Sequence, residues 1–477
     1  MSANRTDAMS PPAGATMHVA RFVSATQVDD EARAEAAKAI VDTLAVMVAG
    51  GATAPVRLLA ETLTPMSSGT PSFWSESLYA PQDAATLFGM AAHMLDYDDV
   101  SMLTVCHPSA PVLSALLATV PWGEISGAEL LDAFVVGTEV SIRLGEAMGF
   151  RHYGLGFHAT STLGPVGAAA ACARLRWLDA EKTAHALAIA ASFSSGLRKN
   201  FGSMVKPLHV GIAASNGLKA AAWAAAGIEG AAEVFEAGGF LSAFSGGATD
   251  AWPAVNRIGA PFAISTPGFE RKRYPCCYML HKIIEATVGL AREASIDLDS
   301  LVHASIEMPP GGSKPLNHPR PVNGLEARFS APYAVLAGIA DRRMDLSVLA
   351  DHAVLRPEIQ SRLQLVTIAE RDGPMLNGQE IDHAPVTVAL HLRDGSRHSR
   401  TVVVTPGSPA DPVTDEQLLA KWLDCFRQVD AVVDVEASAS LFRRGLDIER
   451  EASFGGWLEA LRRPAADPRQ QKVKRIA

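Results

Sequence analysis

Apolar residues recur at helical spacing between Val19 and Gly50, Ile40, Leu44, Val46 and Met47 among them, and similar stripes continue to about residue 260. Gly, Ser and Pro punctuate these stripes, and strict alternation is absent from them, so the pattern predicts a large helical domain over residues 17–270. The next stretch changes period. Leu301–Met308 reads as a strand, and Val386–Leu392 and Ser399–Val404 flank Asp394-Gly395, a hairpin turn signal. Residues 271–411 are therefore expected to form a smaller inserted α+β domain. From Thr414 the helical spacing returns through Gln417, Leu418, Leu419, Trp422 and Leu423 and runs on to Trp457–Leu461. Residues 412–463 thus read as the second segment of the helical domain. The fold class expected is mainly α, with one helical domain made of two chain segments. Residues 1–16 and 464–477 read as disordered tails, the latter rich in Pro and basic residues, and no internal repeat is visible.

Composition narrows the picture. The chain has 477 residues, 48% hydrophobic and 19% charged, which excludes a disordered or fibrous protein. Aromatic residues are 6%, while alanine fills runs such as Val166–Ala173 and Lys219–Ala226, which favours closely packed helices. A formal net charge of −9 argues against a nucleic-acid partner. Five cysteines without a C-x-x-C pair point to a reducing compartment. With no uninterrupted apolar run of about 18 residues and no apolar leader in Met1–Thr16, the expectation is a soluble, cytoplasmic protein without a membrane partner.

Several segments carry chemistry-bearing residues. His93, Asp96 and Tyr97 stand three and four apart, as if on one helical face, with Asp98 and Asp99 following. This cluster fits a divalent-metal site, an acid/base group in a cleft, or a helix end with solvated acids. His107-Pro108-Ser109 looks like a helix entry with Ser109 as the capping residue, and His158 precedes a second small-residue helix after Tyr153-Gly154-Leu155-Gly156. Helix starts attract carboxylates through unsatisfied N–H groups, although a capping serine beside a surface histidine is the commoner explanation of the first. Lys206 and His209 stand three apart, and Lys206 precedes a proline, which biases it to an extended conformation projecting into a cavity. Arg271, Lys272 and Arg273 precede Tyr274-Pro275-Cys276-Cys277, and these cations either hold carboxylates or decorate a linker. Adjacent cysteines do not supply the separated thiolates of an iron–sulfur cluster.

Read together, Leu95-Asp96-Tyr97-Asp98-Asp99, His107-Pro108-Ser109, Gly156-Phe157-His158-Ala159-Thr160-Ser161, Lys206-Pro207-Leu208-His209, Lys272-Arg273-Tyr274-Pro275-Cys276-Cys277 and Glu326-Ala327-Arg328-Phe329-Ser330-Ala331-Pro332-Tyr333 resemble the MmgE/PrpD family over roughly residues 17–460. That family includes 2-methylcitrate dehydratase, cis-aconitate decarboxylase and iminodisuccinate epimerase. The resemblance implies a helical domain with an α+β lid, an interdomain active site, a homodimer, no metal and no organic cofactor. It places site residues at Asp96, His107, His158, Lys206 and Tyr333. His158 or Lys206 is then expected to move the proton next to a carboxylate, with the lysine basic only if its pKa is lowered. Tyr153 or Tyr333 would act on the opposite face, and Asp96 would orient a histidine. His107, Ser109, His209, Arg273 and Cys277 or His281 would contact the substrate. Dehydration of a hydroxylated di- or tricarboxylate is the leading expectation, with epimerisation of an iminodisuccinate-like acid, decarboxylation, or non-catalytic binding of a dicarboxylate as alternatives.

Overall fold

The computed structural model describes residues 14–119, 125–236, 238–247, 252–374, 376, 378, 380–429 and 434–462. Of the expected tails, residues 1–13 and 464–477 lie outside these. Residues 14–16 depart from the tail reading, since the first helix, α1 (Ala15–Ala25), already includes Thr16, whose amide and hydroxyl both donate to buried Glu236.

The principal helices that follow are α2 (Asp30–Gly51), α3 (Pro81–His93), α4 (Ser109–Thr119), α5 (Gly127–Gly154), α6 (Ala159–Leu175), α7 (Ala180–Ser192) and α8 (Val205–Ala225). Their start signals are local: Asp29 caps α2, Asp179 caps α7, and Ser126 with Glu129 forms a capping box on α5. Helices α3, α4, α6 and α8 are buried on most sides and are built from Ala, Gly and Ser, so their axes pack closely. The tightest crossing is α3 on α8. A Cβ on Gly89 would stand 2.7 Å from Gly211 Cα, and one on Gly211 would stand 2.2 Å from the Thr86 carbonyl oxygen. This crossing fixes His93, the last residue of α3, relative to Lys206, in the first turn of α8.

The chain then forms α9 (His281–Glu293), a four-stranded sheet and α10 (Ala331–Asp341). The strands are β1 (Leu301–Met308), β2 (Val366–Glu370), β3 (Val386–Leu392) and β4 (Arg397–Val402), in the order β2-β1-β3-β4. β1 is parallel to β2 and antiparallel to β3, and the β3–β4 hairpin turns at Asp394-Gly395 as its sequence predicts. Finally α11 (Asp415–Arg427) and α12 (Val435–Leu446) return to the helical part and pack on α2.

Apolar side chains gather into two large cores. One draws on residues 15–269 and on Leu418, Trp422, Phe426, Trp457 and Leu461 from the last segment; the other draws on residues 276–390. The fold is therefore mainly α, with an α+β portion inserted between two helical segments. Among the described residues no single helix is long and apolar enough to cross a membrane.

Because the α3–α8 crossing has no room for a side chain, Gly211→Val should cost about 1–3 kcal/mol through overpacking. Thermal denaturation should show a lower melting temperature than wild type, and an unchanged one would mean that the crossing opens freely.

Candidate active site

Asp96 is the centre of the cluster. α3 ends at His93, and Asp96 itself adopts a left-handed backbone conformation (φ 49°), so the helical face anticipated for His93, Asp96 and Tyr97 does not form. The turn instead aims the Asp96 carboxylate at two ammonium groups. Lys206 Nζ lies 2.7 Å and Lys272 Nζ 2.9 Å from the same Oδ1, and Lys272 also donates to the Asp96 carbonyl at 2.8 Å. All three side chains are buried. Burial alone would raise the Asp96 pKa, but Lys206, Lys272 and His107 hold it well below the carboxylate range. Burial likewise opposes the charge on Lys272, and Asp96 and Asp98 outweigh it, so that ammonium is held above its usual value.

Lys206 reaches this position from helical backbone rather than from the extended conformation expected before a proline. Pro207 lies in the first turn of α8, where its missing N–H leaves no intrahelical bond unmade. Phe201 and Phe329 flank the ammonium, each ring centroid 5.0 Å away.

Asp98, rather than Asp96, holds the histidines. His93 Nδ1 lies 2.8 Å from Asp98 Oδ2, and His107 Nδ1 lies 3.2 Å from the same oxygen, while His107 Nε2 is 4.0 Å from Asp96. Donation of Nδ1–H from His93 leaves its buried Nε2 without a partner among the described residues. Burial, and then the surrounding cations, push His93 down to about 4 despite Asp98, so the ring is uncharged at neutral pH. His107 is lowered for the same first reason.

His158 stands at the N-cap of α6 with its side chain off the helix, so its ring is available to the cavity. Its Nδ1 lies 3.2 Å from His209 Nδ1, one turn beyond Lys206 on α8, and its buried Nε2 has no partner among the described residues. Burial, His93 and Lys206 hold its pKa well below the usual histidine value. A neutral imidazole with one nitrogen braced and the other open, set beside an ammonium, is equipped to take a proton from carbon.

These groups border a cavity of about 590 Å³ lined by Asp96, His107, Tyr153, His158, Lys206 and Lys272, among others. Among the described lining residues Asp96 is the lone carboxylate, against Arg198, Lys199, Lys206, Lys272 and Lys314. Tyr153 comes from the last turn of α5, beyond a break at Gly149 (φ 62°, ψ −177°) that turns this segment. Burial pushes its phenol up to about 12 against the Arg198 guanidinium, which lies 4.3 Å from the ring centroid. The phenol is thus a proton-bearing donor. Cys277 also lines the cavity as a neutral thiol, pushed up to about 11 by burial.

Five expected site residues lie outside this lining, among them His209, which contacts His158 instead. Tyr333 is buried in the lid core and donates its hydroxyl to the Val348 carbonyl, because α10 is covered on both faces. His281 starts α9 and faces the Pro406 carbonyl at 3.4 Å. Arg273 pairs with Asp411 at 3.6 Å, and Ser109 donates its hydroxyl to Asp99 instead of capping α4. Of the three consecutive cations, only Lys272 turns inward, while Arg271 pairs with Glu35 at 2.7 Å. Lys272, Asp98 and His93 were visible as members of charged runs, but nothing local marks which member of a run faces a cavity.

His93, Asp96, Asp98 and His107 have donor atoms within 4.8 Å of one another, which is compatible in residue type with a divalent cation. Two ammonium groups already within 2.9 Å of Asp96 Oδ1 oppose such an ion by like charge.

The profile of the MmgE/PrpD N-terminal domain matches residues 17–252, and that of the MmgE/PrpD C-terminal domain matches residues 274–443. The chain is similar to the Homo sapiens cis-aconitate decarboxylase, at 28% identity over 353 residues, covering 72% of each chain. It is also similar to the Aspergillus terreus cis-aconitate decarboxylase, at 26% identity over 402 residues, covering 78% of this chain and 79% of the other. The Aspergillus oryzae cis-aconitate decarboxylase-like protein oryM matches at 26% over 405 residues, covering 78% of this chain and 81% of the other.

The depressed pKa of His93 links to stability with a definite sign. The unfolded chain binds this proton near 6.5 and the folded chain only near 4, so the contribution is complete above 6.5 and is lost as pH falls towards 4. The slope from this one group is up to about 1.4 kcal/mol per pH unit. Denaturant unfolding of His93→Gln should therefore depend less steeply on pH in that window than wild type, and equal slopes would place the proton elsewhere. Chelator treatment should leave the melting temperature unchanged; a drop reversed by a divalent ion would mean that the four-residue cluster holds one.

Proposed function

The chain belongs to the MmgE/PrpD family, and from that membership we propose that it is a lyase acting on a small polycarboxylate, with decarboxylation of a cis-aconitate-like acid as its reaction. The observation that carries the reading is the charge of the cavity: among its described lining residues Asp96 is the one carboxylate and is itself neutralised by Lys206 and Lys272, with Arg198 and Lys199 also on the lining. A ligand with several carboxylates fits that field, and a neutral ligand does not. The names of the relatives support decarboxylation over the dehydration expected from sequence.

In such a reaction the C–COO⁻ bond breaks, carbon dioxide leaves, and the electron pair enters the adjoining unsaturated carboxylate. Lys206 and Lys272 stand where they stabilise that growing charge, because their ammonium groups are fixed before the substrate arrives. A proton is then delivered to carbon. His158 Nε2 and the Tyr153 hydroxyl are the candidates for that donation, His158 once it has taken up a proton from solvent. Dehydration uses the same inventory in another order: His158 takes the α-proton, the pair expels hydroxide, and an acid protonates it. Cofactor-free operation is part of this proposal, since each step is an ionic bond cleavage or a proton transfer. We also assign a homodimer contact to the outer face of α7 and α8, where Phe193, Ile212 and Trp223 are exposed.

Proton NMR in D₂O with cis-aconitate, citrate, 2-methylcitrate and racemic iminodisuccinate separates the reactions. The expected result is loss of one carboxylate from cis-aconitate with one deuteron incorporated. A new vinylic signal from a hydroxy acid would establish dehydration instead, and exchange without net loss would establish epimerisation. Lys206→Ala and His158→Ala should each lower turnover at least ~100-fold with circular dichroism unchanged. Near wild-type rates in both would remove these residues from the mechanism. Light scattering of the same preparation should give twice the chain mass.

A further inference from the structure

Lys272 is tied into the cavity wall by a further ammonium group that does not itself reach the cavity. Lys421, on α11 in the last segment of the chain, is 5% exposed and lies outside the cavity lining. Its Nζ stands 2.6 Å from the Asp42 carboxylate of α2 and donates to the carbonyls of Tyr97 at 2.6 Å and Lys272 at 3.1 Å. Three acceptors match the three protons of an ammonium. The Tyr97 ring covers the same group, with its centroid 4.0 Å away.

The two carbonyls belong to the two stretches of backbone that meet in the site. Tyr97 follows Asp96 directly, and the Lys272 side chain reaches back, donating to the Asp96 carbonyl at 2.8 Å and to Oδ1 at 2.9 Å. Covalent and hydrogen bonds therefore close a ring that runs from Lys421 Nζ through the Tyr97 carbonyl, Asp96 and the Lys272 side chain to the Lys272 carbonyl and back. Tyr97 and Lys272 lie in neither helix nor strand, so no regular ladder fixes their carbonyls. The Tyr97 hydroxyl adds a longer contact, 3.3 Å from the Arg273 carbonyl.

We propose that Lys421 is a positioning residue for the reaction: by holding the Tyr97 and Lys272 backbones together it keeps the Lys272 ammonium seated on Asp96, with Asp42 as its counter-ion. This rests on reading the site as a polycarboxylate lyase in which Lys272 stabilises the growing charge. The rival role for Lys421 is that of a structural partner to Asp42 alone, and the two roles separate experimentally. Replacing both members of a buried ion pair by apolar side chains of similar volume is often neutral for stability, whereas removing one member strands the other.

The test compares wild type with Asp42→Asn and with the double variant Asp42→Leu/Lys421→Met. Melting is followed by circular dichroism and turnover of cis-aconitate by NMR. The double variant should melt close to wild type, yet its kcat should fall at least ~10-fold, the scale of a small misplacement of a group in the site. KM should change less, because Lys272 acts on charge that develops during the reaction. Asp42→Asn keeps the Lys421 donors on both carbonyls, so it should melt lower and hold kcat within about twofold. A second readout needs no substrate: lysine labelled with carbon-13 at Cε gives the titration of Lys272, assigned by Lys272→Arg. In wild type Asp96 and Asp98 hold this ammonium above its usual value against burial. A loosened contact leaves burial to dominate, so the titration should move to lower pH in the double variant, whereas loss of the Lys421 charge by itself would move it up. Wild-type kcat and an unmoved Lys272 titration in the double variant would overturn the proposal, as would equal losses of kcat in Asp42→Asn and the double variant. A displaced titration in a protein whose wild type turns over none of the acids would overturn the lyase reading and leave the seating of Lys272 by Lys421 standing.

Discussion

A single carboxylate oxygen that receives two ammonium groups sets the terms for everything around it. Asp96 Oδ1 lies within 2.9 Å of both Lys206 and Lys272, out of bulk water, and the three groups come from three separated stretches of chain. Removing charges from water is costly unless they are closely paired, so the Asp96 carboxylate is kept charged by the two lysines, and the Lys272 ammonium by Asp96 and Asp98. The net result is one positive charge fixed in a buried place. The flanking Phe201 and Phe329 rings accommodate a cation without neutralising it, and burial, followed by the nearby positive charge, holds the His93 and His158 imidazoles below their usual pKa. The electrostatic character of the cavity follows from this one arrangement.

The surrounding fold holds the arrangement at several points. The α3–α8 crossing sets His93 against Lys206. Lys421 on α11 lies 2.6 Å from buried Asp42 and donates to the carbonyls of Tyr97 at 2.6 Å and Lys272 at 3.1 Å. That one side chain ties the backbone next to Asp96 to the backbone of its second lysine. Asp98 does the equivalent for two histidine rings. Buried polar networks of this kind constrain geometry strongly because each missing partner exposes another group to desolvation.

Much of this was legible in the sequence, for identifiable reasons. Helical periodicity marked the helices, β propensity with an Asp-Gly turn marked β3 and β4, and the spaced motifs around Asp96, His107, His158 and Lys206 marked residues that meet in one cavity. What stayed hidden depends on direction rather than position. Arg271, Lys272 and Arg273 are equivalent in a sequence, yet they face Glu35, Asp96 and Asp411. Tyr333 sits in a motif beside Phe329, yet its ring faces the lid core while Phe329 faces the cavity, because the Ser330 cap starts a new helix between them. The bend at Asp96 also defeats helical spacing, since a left-handed residue resets the face on which its neighbours lie.

Lys421 has a bearing on how the protein is made. A ribosome releases the chain from its amino end, so α2, with Asp42, and the Tyr97 turn are synthesised well before the helix that carries their cation. The inserted α+β portion has its own apolar core and is completed in the interval. Until α11 emerges, the large core lacks Trp422 and Trp457 and the buried Asp42 carboxylate lacks its nearest counter-charge. The Lys421 tie between the Tyr97 and Lys272 backbones is thus among the last contacts made during synthesis, after every described residue that lines the cavity has left the ribosome.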